Sequence, residues 1–406
     1  MPTKSGTSRI LIYSHDTFGL GHLRRCRTIA QSMVERRKGL TVLILSGSPI
    51  IGSFNFRTRV DFVRIPGVIK LRNGDYSSLS LHMDIGEVLN MRASIIRHTA
   101  EIFKPDLFLV DKEPLGLRGE IQDTLHYLKS RGTSLVLGLR EVMDHPMLLA
   151  QEWERKNPIP ALRDLYDEIW VYGLPEICDA LGGIDLPQTV KDKVTYTGYL
   201  RSNIPTQMIE KSSNRPFEAP YILVTTGGGG DGEHLIDWVL SAYEQDINIP
   251  HPALLIFGPF MSADRRQNFL RRVDEIPQVK AITFDSNVER LMSMAAGVVA
   301  MGGYNTFCDI LTMDKPALIA PRTRPRMEQY IRASKAQELG LVKMLAADGW
   351  RDPGVMVEAL RELPSQKRPS EVVVPRLLDG LDSIHRLLGE RLRKYRRSRA
   401  KLAVQM

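Results

Sequence analysis

The chain has 406 residues, 43% hydrophobic and 25% charged, which is the make-up of a soluble globular protein large enough for two domains without a disulfide or metal staple. Its three cysteines, Cys26, Cys178 and Cys308, form no CxxC, and their odd number argues against a disulfide framework. The net charge is +8, but no recognised nucleic-acid-binding motif accompanies it, and no apolar run approaches the ~20 residues of a membrane span.

The first apolar run, RILIYS, reaches His15 within a few residues, so it reads as a β-strand rather than a signal peptide, and the expected location is the cytoplasm. It is followed by Ser14-His15-Asp16-Thr17-Phe18-Gly19-Leu20-Gly21-His22-Leu23-Arg24-Arg25. Gly19 and Gly21 keep this turn tight and leave room for a ligand, and His22 then starts a helix. An imidazole at a helix N-terminus is disfavoured as a cation, so His22 stays neutral and able to accept a proton. The plainer reading is a helix-starting histidine bonded to a nearby carbonyl.

A second strand, TVLILS, follows, and then Pro66 to Asn90, whose periodicity is weak. That segment reads as a long surface loop or as an acceptor-binding insertion. The strands DLFLVD, SLVLGL and EIWVYG complete the first half. Polar residues follow them: Asp111 and Glu113, then Arg140, Glu141 and Asp144. Ligands of doubly wound sheets bind beyond the carboxyl ends of the strands, so these residues are expected to face the site. Asp111 and Glu141 are reserve candidates for a catalytic base or for acceptor binding. Asp16, Gly19, Gly21, Arg24, Glu113 and Arg140 are candidates for the acceptor side.

RSNIPTQMIEKSSNRPFEAP, rich in Pro, Ser and Asn, reads as an interdomain linker. Beyond it the strands YILVTT, ALLIFG, AITFD, GVVAMG and PALIAP repeat the alternation with helical patterns. After the first of them stand Gly227, Gly228, Gly229, Gly230, Asp231 and Gly232, then the helical EHLIDWVL. Such a loop lets backbone N–H groups and a helix N-terminus approach a phosphate, and four glycines are costly in a turn that binds nothing. A dinucleotide fold wants an acid after the next strand, where Gly258-Pro259-Phe260 stands instead, so a dehydrogenase is disfavoured. Gly302 and Gly303 turn the chain from GVVAM into a helix carrying Thr306 and Asp309, whose spacing also suits a capping box. PALIAP leads to a helix opening with Glu328 and Gln329.

These C-terminal motifs resemble the donor-binding half of GT-B glycosyltransferases, family 28 above all. The resemblance covers most of the C-terminal half and, more loosely, the Gly-x-Gly-His turn, which is also similar to that of UDP-sugar hydrolases. It implies that Gly227, Gly228, Gly229 and Gly230 cradle a nucleotide diphosphate. It implies that Gly302, Gly303 and Thr306 form the family's Gly-Gly-x-x-Thr turn, that Asp309 binds the ribose hydroxyls, and that Glu328 and Gln329 contact the sugar. Phe284 and Asp285 fall where the family's backbone meets the base. The family commonly has Glu where Asp309 stands, one methylene longer, so a nucleotide sugar is implied more firmly than UDP.

The fold expected is α/β of the GT-B type: two Rossmann-like, doubly wound parallel-sheet domains facing across a cleft. Residues 8–200 are the expected acceptor-binding domain, joined by a returning C-terminal helix (375–406), and 215–374 the donor-binding domain. The expected activity is transfer of a sugar from a nucleotide-sugar donor, UDP-linked, to an acceptor hydroxyl. His22 is the base, with Asp16 or Asp111 orienting it, and the resemblance implies inversion. No D-x-D is present, so no metal or other cofactor is expected, and the leaving charge falls to backbone N–H groups, a helix dipole and an Arg. A nucleotide-sugar hydrolase or epimerase on the same scaffold and a catalytically inert nucleotide-sugar-binding protein are the alternatives. The acceptor (lipid-linked, polysaccharide or small molecule) is unspecified. The basic run Arg391, Arg393, Lys394, Arg396, Arg397, Arg399 and Lys401 reads either as a solvated helix face or as attraction to an anionic membrane surface, which would make the protein membrane-peripheral.

Overall fold

The computed structural model describes residues 7–16, 20–71, 75–202, 215–346 and 351–404, and of 396–404 the backbone alone. Gly19, Thr17 and Phe18, most of the linker, and the basic side chains after Tyr395 lie outside the described residues. The chain divides into two compact units, residues 1–200 with 379–406, and residues 201–378.

The first unit contains β1 (Ser8–Ser14), β2 (Leu40–Ser46), β3 (Val60–Arg64), β4 (Val68–Lys70), β5 (Tyr76–Ser78), β6 (Leu107–Asp111), β7 (Ser134–Arg140), β8 (Glu168–Tyr172) and β9 (Val194–Tyr196). Seven of these form one parallel sheet, ordered β3-β2-β1-β6-β7-β8-β9. The continuous apolar runs are explained by burial on both faces: Ile10 to Tyr13 and Phe108 to Val110 are at most 1% exposed. Tyr13 pairs with Val110, so β1 and β6 end side by side, although β2 to β5 intervene in the chain. That is the topological switch point of the sheet.

Pro66 to Asn90 differs from the loop reading. β4 and β5 form an antiparallel hairpin, and the helix Ile85–Phe103 begins inside the segment. Its signals were short: three-residue strands, and Asp84 capping the helix by accepting from the Gly86 N–H at 2.7 Å. The last helix, Gly380–Val404, belongs to this unit. It buries Leu381, Ile384, Leu388 and Leu392 along one stripe. His385 Nε2 lies 2.9 Å from the Ser32 hydroxyl, and Arg391 is fixed to the Asp167 carbonyl and Glu168. Arg391 is therefore part of the packing, whereas Arg393 and Lys394 are exposed. Among the described residues no helix is long and apolar enough to cross a membrane.

The second unit contains β10 (Ile222–Thr225), β11 (Ala253–Ile256), β12 (Val279–Ile282), β13 (Gly297–Ala300), β14 (Ala317–Ile319) and β15 (Lys343–Met344). They form a parallel sheet ordered β12-β11-β10-β13-β14-β15, with Thr225 beside Ala300. Here the switch point lies between β10 and β13. β12 starts earlier and ends earlier than AITFD suggests. As an edge strand it needs only alternate apolar positions, and Asp285 ends the extended run by accepting from the Asn287 N–H at 2.7 Å.

Candidate active site

In the first unit the switch point carries a buried charged cluster. The helix Gly21–Arg36 follows β1, and Leu20 at its N-cap makes no side-chain capping bond. His22 lies in its first turn, with Arg25 one turn on along the same face. Both turn to Asp111 at the end of β6. His22 Nδ1 makes a very short contact with Asp111 Oδ2. Arg25 donates from Nε and Nη2 to Oδ1 at 2.8 and 2.6 Å, and from Nη2 to Oδ2 at 2.8 Å.

The electrostatics follow from this sharing. Burial opposes ionisation of Asp111, but Arg25 and His22 outweigh it and hold the carboxyl well below the usual carboxylate range. Burial also lowers His22, to about 4; Asp111 opposes that shift, but its charge is already matched by the Arg25 fork. At neutral pH the imidazole is uncharged. Nδ1–H donates to Asp111, because an ionised carboxylate can only accept, and this leaves the lone pair on Nε2. His15, 4% exposed and lowered by burial, lies edge-on to His22 with ring centroids 5.6 Å apart.

The other first-unit candidates take different places. Asp16 does not orient His22; it is buried, accepts from the Ser46 hydroxyl at 2.6 Å, and is raised by burial to about 6. Glu141 is 0% exposed, accepts from the Tyr199 hydroxyl at 2.9 Å and packs against Gly173, so it is fixed inside the unit and offers no surface to an acceptor. Asp111 is likewise engaged by Arg25 and His22. Glu113 accepts from Lys156 at 2.7 Å; burial opposes its charge, but Lys112, His15 and Lys156 hold its carboxyl low. Arg24 and Arg140 are half-buried, and Gly21 is exposed.

His15, Tyr76, Glu113, Leu117, Arg118 and Trp153 line part of a cavity of about 360 Å³ in this unit. Leu117 of this lining is also tied to a second buried cluster. Arg92, 1% exposed, donates to both Glu120 oxygens at 2.6 and 2.7 Å and to the Pro66 carbonyl at 2.5 Å. The Tyr13 hydroxyl donates to Glu120 at 2.6 Å and accepts from the Leu117 N–H at 3.2 Å. The start of the hairpin segment, the turn at Leu117 and β1 are thus joined through one buried ion pair.

In the second unit the glycine loop leaves β10 at the switch point. Gly229 has φ +86°, and a Cβ there would lie 2.2 Å from the Phe257 carbonyl, so this glycine is dictated by backbone packing alone. Gly303 differs: its φ is −58° and a Cβ there would meet nothing within 4 Å. Neither strain nor packing demands a glycine at that position, so its absent side chain keeps space open at the start of the helix Tyr304–Met313. That helix is capped by Gly303 without a side-chain bond, so Thr306 and Asp309 do not form a capping box. Asp309, 2% exposed, instead accepts a very short hydrogen bond from the Ser202 hydroxyl.

Glu328 and Gln329, 4% and 7% exposed, open the helix Glu328–Glu338 and meet at Arg322. The Arg322 N–H donates to Gln329 Oε1 at 3.1 Å, and Arg322 Nη2 to Glu328 Oε1 at 2.7 Å. Arg322 Nε also lies 2.5 Å from Asp231 of the glycine loop. Arg332 Nη1 donates to the Gly302 carbonyl at 3.0 Å, fixing this helix to the Gly-Gly turn. Phe284 and Asp285 lie apart, after β12 at the sheet edge, two strands from β10. Arg25, His15, Ser202 and Arg322 were not singled out by the sequence reading. The i, i+3 spacing of His22 and Arg25 was the one signal for the first of them.

Residues 222–371 match the Glycosyltransferase family 28 C-terminal domain. A search of curated proteins returns no match. Among solved structures, the glycotransferase of kitacinnamycin aligns over 96% of each chain at TM-score 0.59 and 16% identity. Glycosyltransferase VinC, solved in complex with dTDP, aligns over 96% of this chain and 100% of its own at TM-score 0.56 and 16% identity. Acinetobacter baumannii MurG aligns over 94% and 99% at TM-score 0.56 and 10% identity. At such identities the structures establish the fold, and the domain match adds the enzyme class. The chain has the GT-B fold, and its residues 222–371 form a glycosyltransferase family 28 C-terminal domain.

Proposed function

We propose that the chain moves a sugar from a nucleotide-sugar donor, UDP-linked, to an acceptor hydroxyl with inversion at the anomeric carbon and without a metal ion. The donor sits in the second unit and the acceptor in the cavity beside His15. His22 Nε2 takes the proton of the acceptor hydroxyl as that oxygen forms its bond to the anomeric carbon. The bond from that carbon to the diphosphate oxygen breaks, and the nucleoside diphosphate leaves with the electron pair. Asp111 holds the ring and stabilises the imidazolium as it forms. In the second unit Asp309 takes the ribose hydroxyls, Glu328 and Gln329 the sugar, and the glycine loop with the uncapped start of the helix Glu233–Gln245 the diphosphate.

The observation that carries this reading is the neutral His22 held by Asp111 at the switch point of one sheet, together with the space kept open at Gly303 on the switch point of the other. VinC, of the same fold, was solved with dTDP, which supports a nucleoside diphosphate as the donor's leaving group. Asp309 already accepts from a hydroxyl, that of Ser202, which is the chemistry a ribose would offer it. The test is release of nucleoside diphosphate from a panel of UDP- and dTDP-sugars, with and without a panel of hydroxyl acceptors, in EDTA. Acceptor-dependent release undiminished by EDTA is expected. Equal release without any acceptor would make the chain a hydrolase, and activity abolished by EDTA and restored by magnesium or manganese would overturn the metal-independent mechanism.

A further inference from the structure

Arg322 is held unequally by its two acids. Glu328 is a buried partner, its side chain 6% exposed, whereas Asp231 on the glycine loop is 46% exposed. An ion pair to an exposed carboxylate contributes little, because water and salt replace the partner cheaply. A pair to a buried carboxylate is broken only by leaving a charge uncompensated. The Arg322 carbonyl-side contact, Nη1 to the Arg326 oxygen at 2.9 Å, adds a second firm hold. Losing Asp231 would therefore leave the guanidinium oriented by Glu328 and the backbone, with its Nε edge free.

Arg322 and Asp231 both line a small cavity of about 40 Å³, together with His234, Trp238, Met301 and Arg351. A guanidinium fork matches phosphate oxygens two at a time. Arg351 and His234 add positive or donor character, and Asp231 is the one carboxylate among the lining residues.

We propose that Arg322 is the cation that takes the distal phosphate of the donor's diphosphate, and that Asp231 occupies it only until the donor arrives. This rests on the nucleotide-sugar reading above and extends it: neither Arg322 nor Asp231 belongs to the motifs that carry the family resemblance. On arrival the phosphate replaces Asp231 at Nε, the exposed loop carboxylate turns to water, and Arg322 stays in place as charge builds on the leaving group.

The test titrates the full chain with UMP, UDP, dTMP and dTDP by calorimetry, for wild type, Arg322→Ala, Arg322→Lys and Asp231→Asn. Wild type should bind the diphosphates more tightly than the monophosphates. Arg322→Ala should weaken diphosphate binding about ten- to a hundredfold, the range for a lost charge-assisted hydrogen bond, and leave monophosphate binding within about threefold. Arg322→Lys should recover part of the loss. Asp231→Asn, a change on an exposed loop, should tighten diphosphate binding about two- to fivefold. Wild-type diphosphate affinity in Arg322→Ala, weaker binding in Asp231→Asn, or equal weakening of mono- and diphosphates would overturn the proposal while leaving the nucleotide-sugar reading intact. No binding of any nucleotide by the wild type would overturn both.

Discussion

His22→Ala is expected to lower the single-turnover rate of sugar transfer about 10²- to 10⁴-fold while leaving nucleoside-diphosphate affinity within about twofold. The rate range is that of general-base catalysis. The separation follows from placement: His22 and its partners belong to the first unit, and the residues assigned to the nucleotide belong to the second. The pH profile gives a second, independent readout. Burial holds His22 at about 4 in the folded chain, against 6.5 for an ordinary imidazole. The base is therefore deprotonated throughout the neutral range, and the acid limb of kcat/KM should fall near pH 4 to 5 rather than near 6.5. Full turnover in His22→Ala would place the base elsewhere, and an acid limb at 6.5 would show an imidazole not held by this cluster.

Asp111→Ala is expected to be strongly destabilising. Arg25 is 2% exposed and its guanidinium has Asp111 as its ion-pair partner. Removing one member of a buried pair leaves the other charge uncompensated, at a cost of about 3–5 kcal/mol. Urea unfolding should show this as a large drop in midpoint, and the remaining folded fraction should also transfer sugar slowly, since His22 loses the group that fixes its tautomer. Arg25→Met with Asp111→Leu should recover much of the stability and none of the turnover. An unfolding free energy within about 0.5 kcal/mol of wild type for Asp111→Ala would refute the buried cluster.

The same cluster sets the direction of acid unfolding. His22 is lowered from 6.5 to about 4, so in that window the unfolded chain binds a proton that the folded chain does not, and stability falls as pH drops through it. Asp111 is depressed, so its contribution is complete above the ordinary carboxylate value of 3.8 and is lost as pH falls below it. Loss of stability on acidification should therefore begin near pH 6.5 and continue below 4, and Asp111→Ala should flatten its lower part.

The parts of this molecule legible in the sequence are those with a local cause. The long central strands announce themselves because burial on both faces demands unbroken apolar runs, as in RILIYS and DLFLVD. The short hairpin β4–β5 and the edge strands β9 and β15 lack that demand and were not visible. The candidate residues divide in the same way. Their position after strands could be read, since parallel sheets place ligands there. Which of them share a cluster depends on sheet order. Asp111 and Glu141 look alike in the chain, each an acid at a strand end, yet only Asp111 ends the strand that lies beside β1. Glu141 ends one strand further out, where Tyr199 and Gly173 enclose it. Thr306 and Asp309 have capping-box spacing, but the cap is Gly303, and the partner of Asp309 comes from Ser202, 107 residues away in the chain. Arg322 carries no motif at all; only the approach of the glycine loop to the start of the helix Glu328–Glu338 gives it meaning.

The central claim is that the second unit holds a nucleoside diphosphate through Asp309 and its neighbours. Calorimetric titration of the full chain with UDP and dTDP, in wild type, Asp309→Ala and His22→Ala, measures it most directly. One site per chain is expected, with a dissociation constant raised about ten- to a hundredfold in Asp309→Ala for the loss of a charge-assisted hydrogen bond, and within about twofold of wild type in His22→Ala. Absence of binding heat with every nucleoside diphosphate, or wild-type affinity in a folded Asp309→Ala chain, would contradict it.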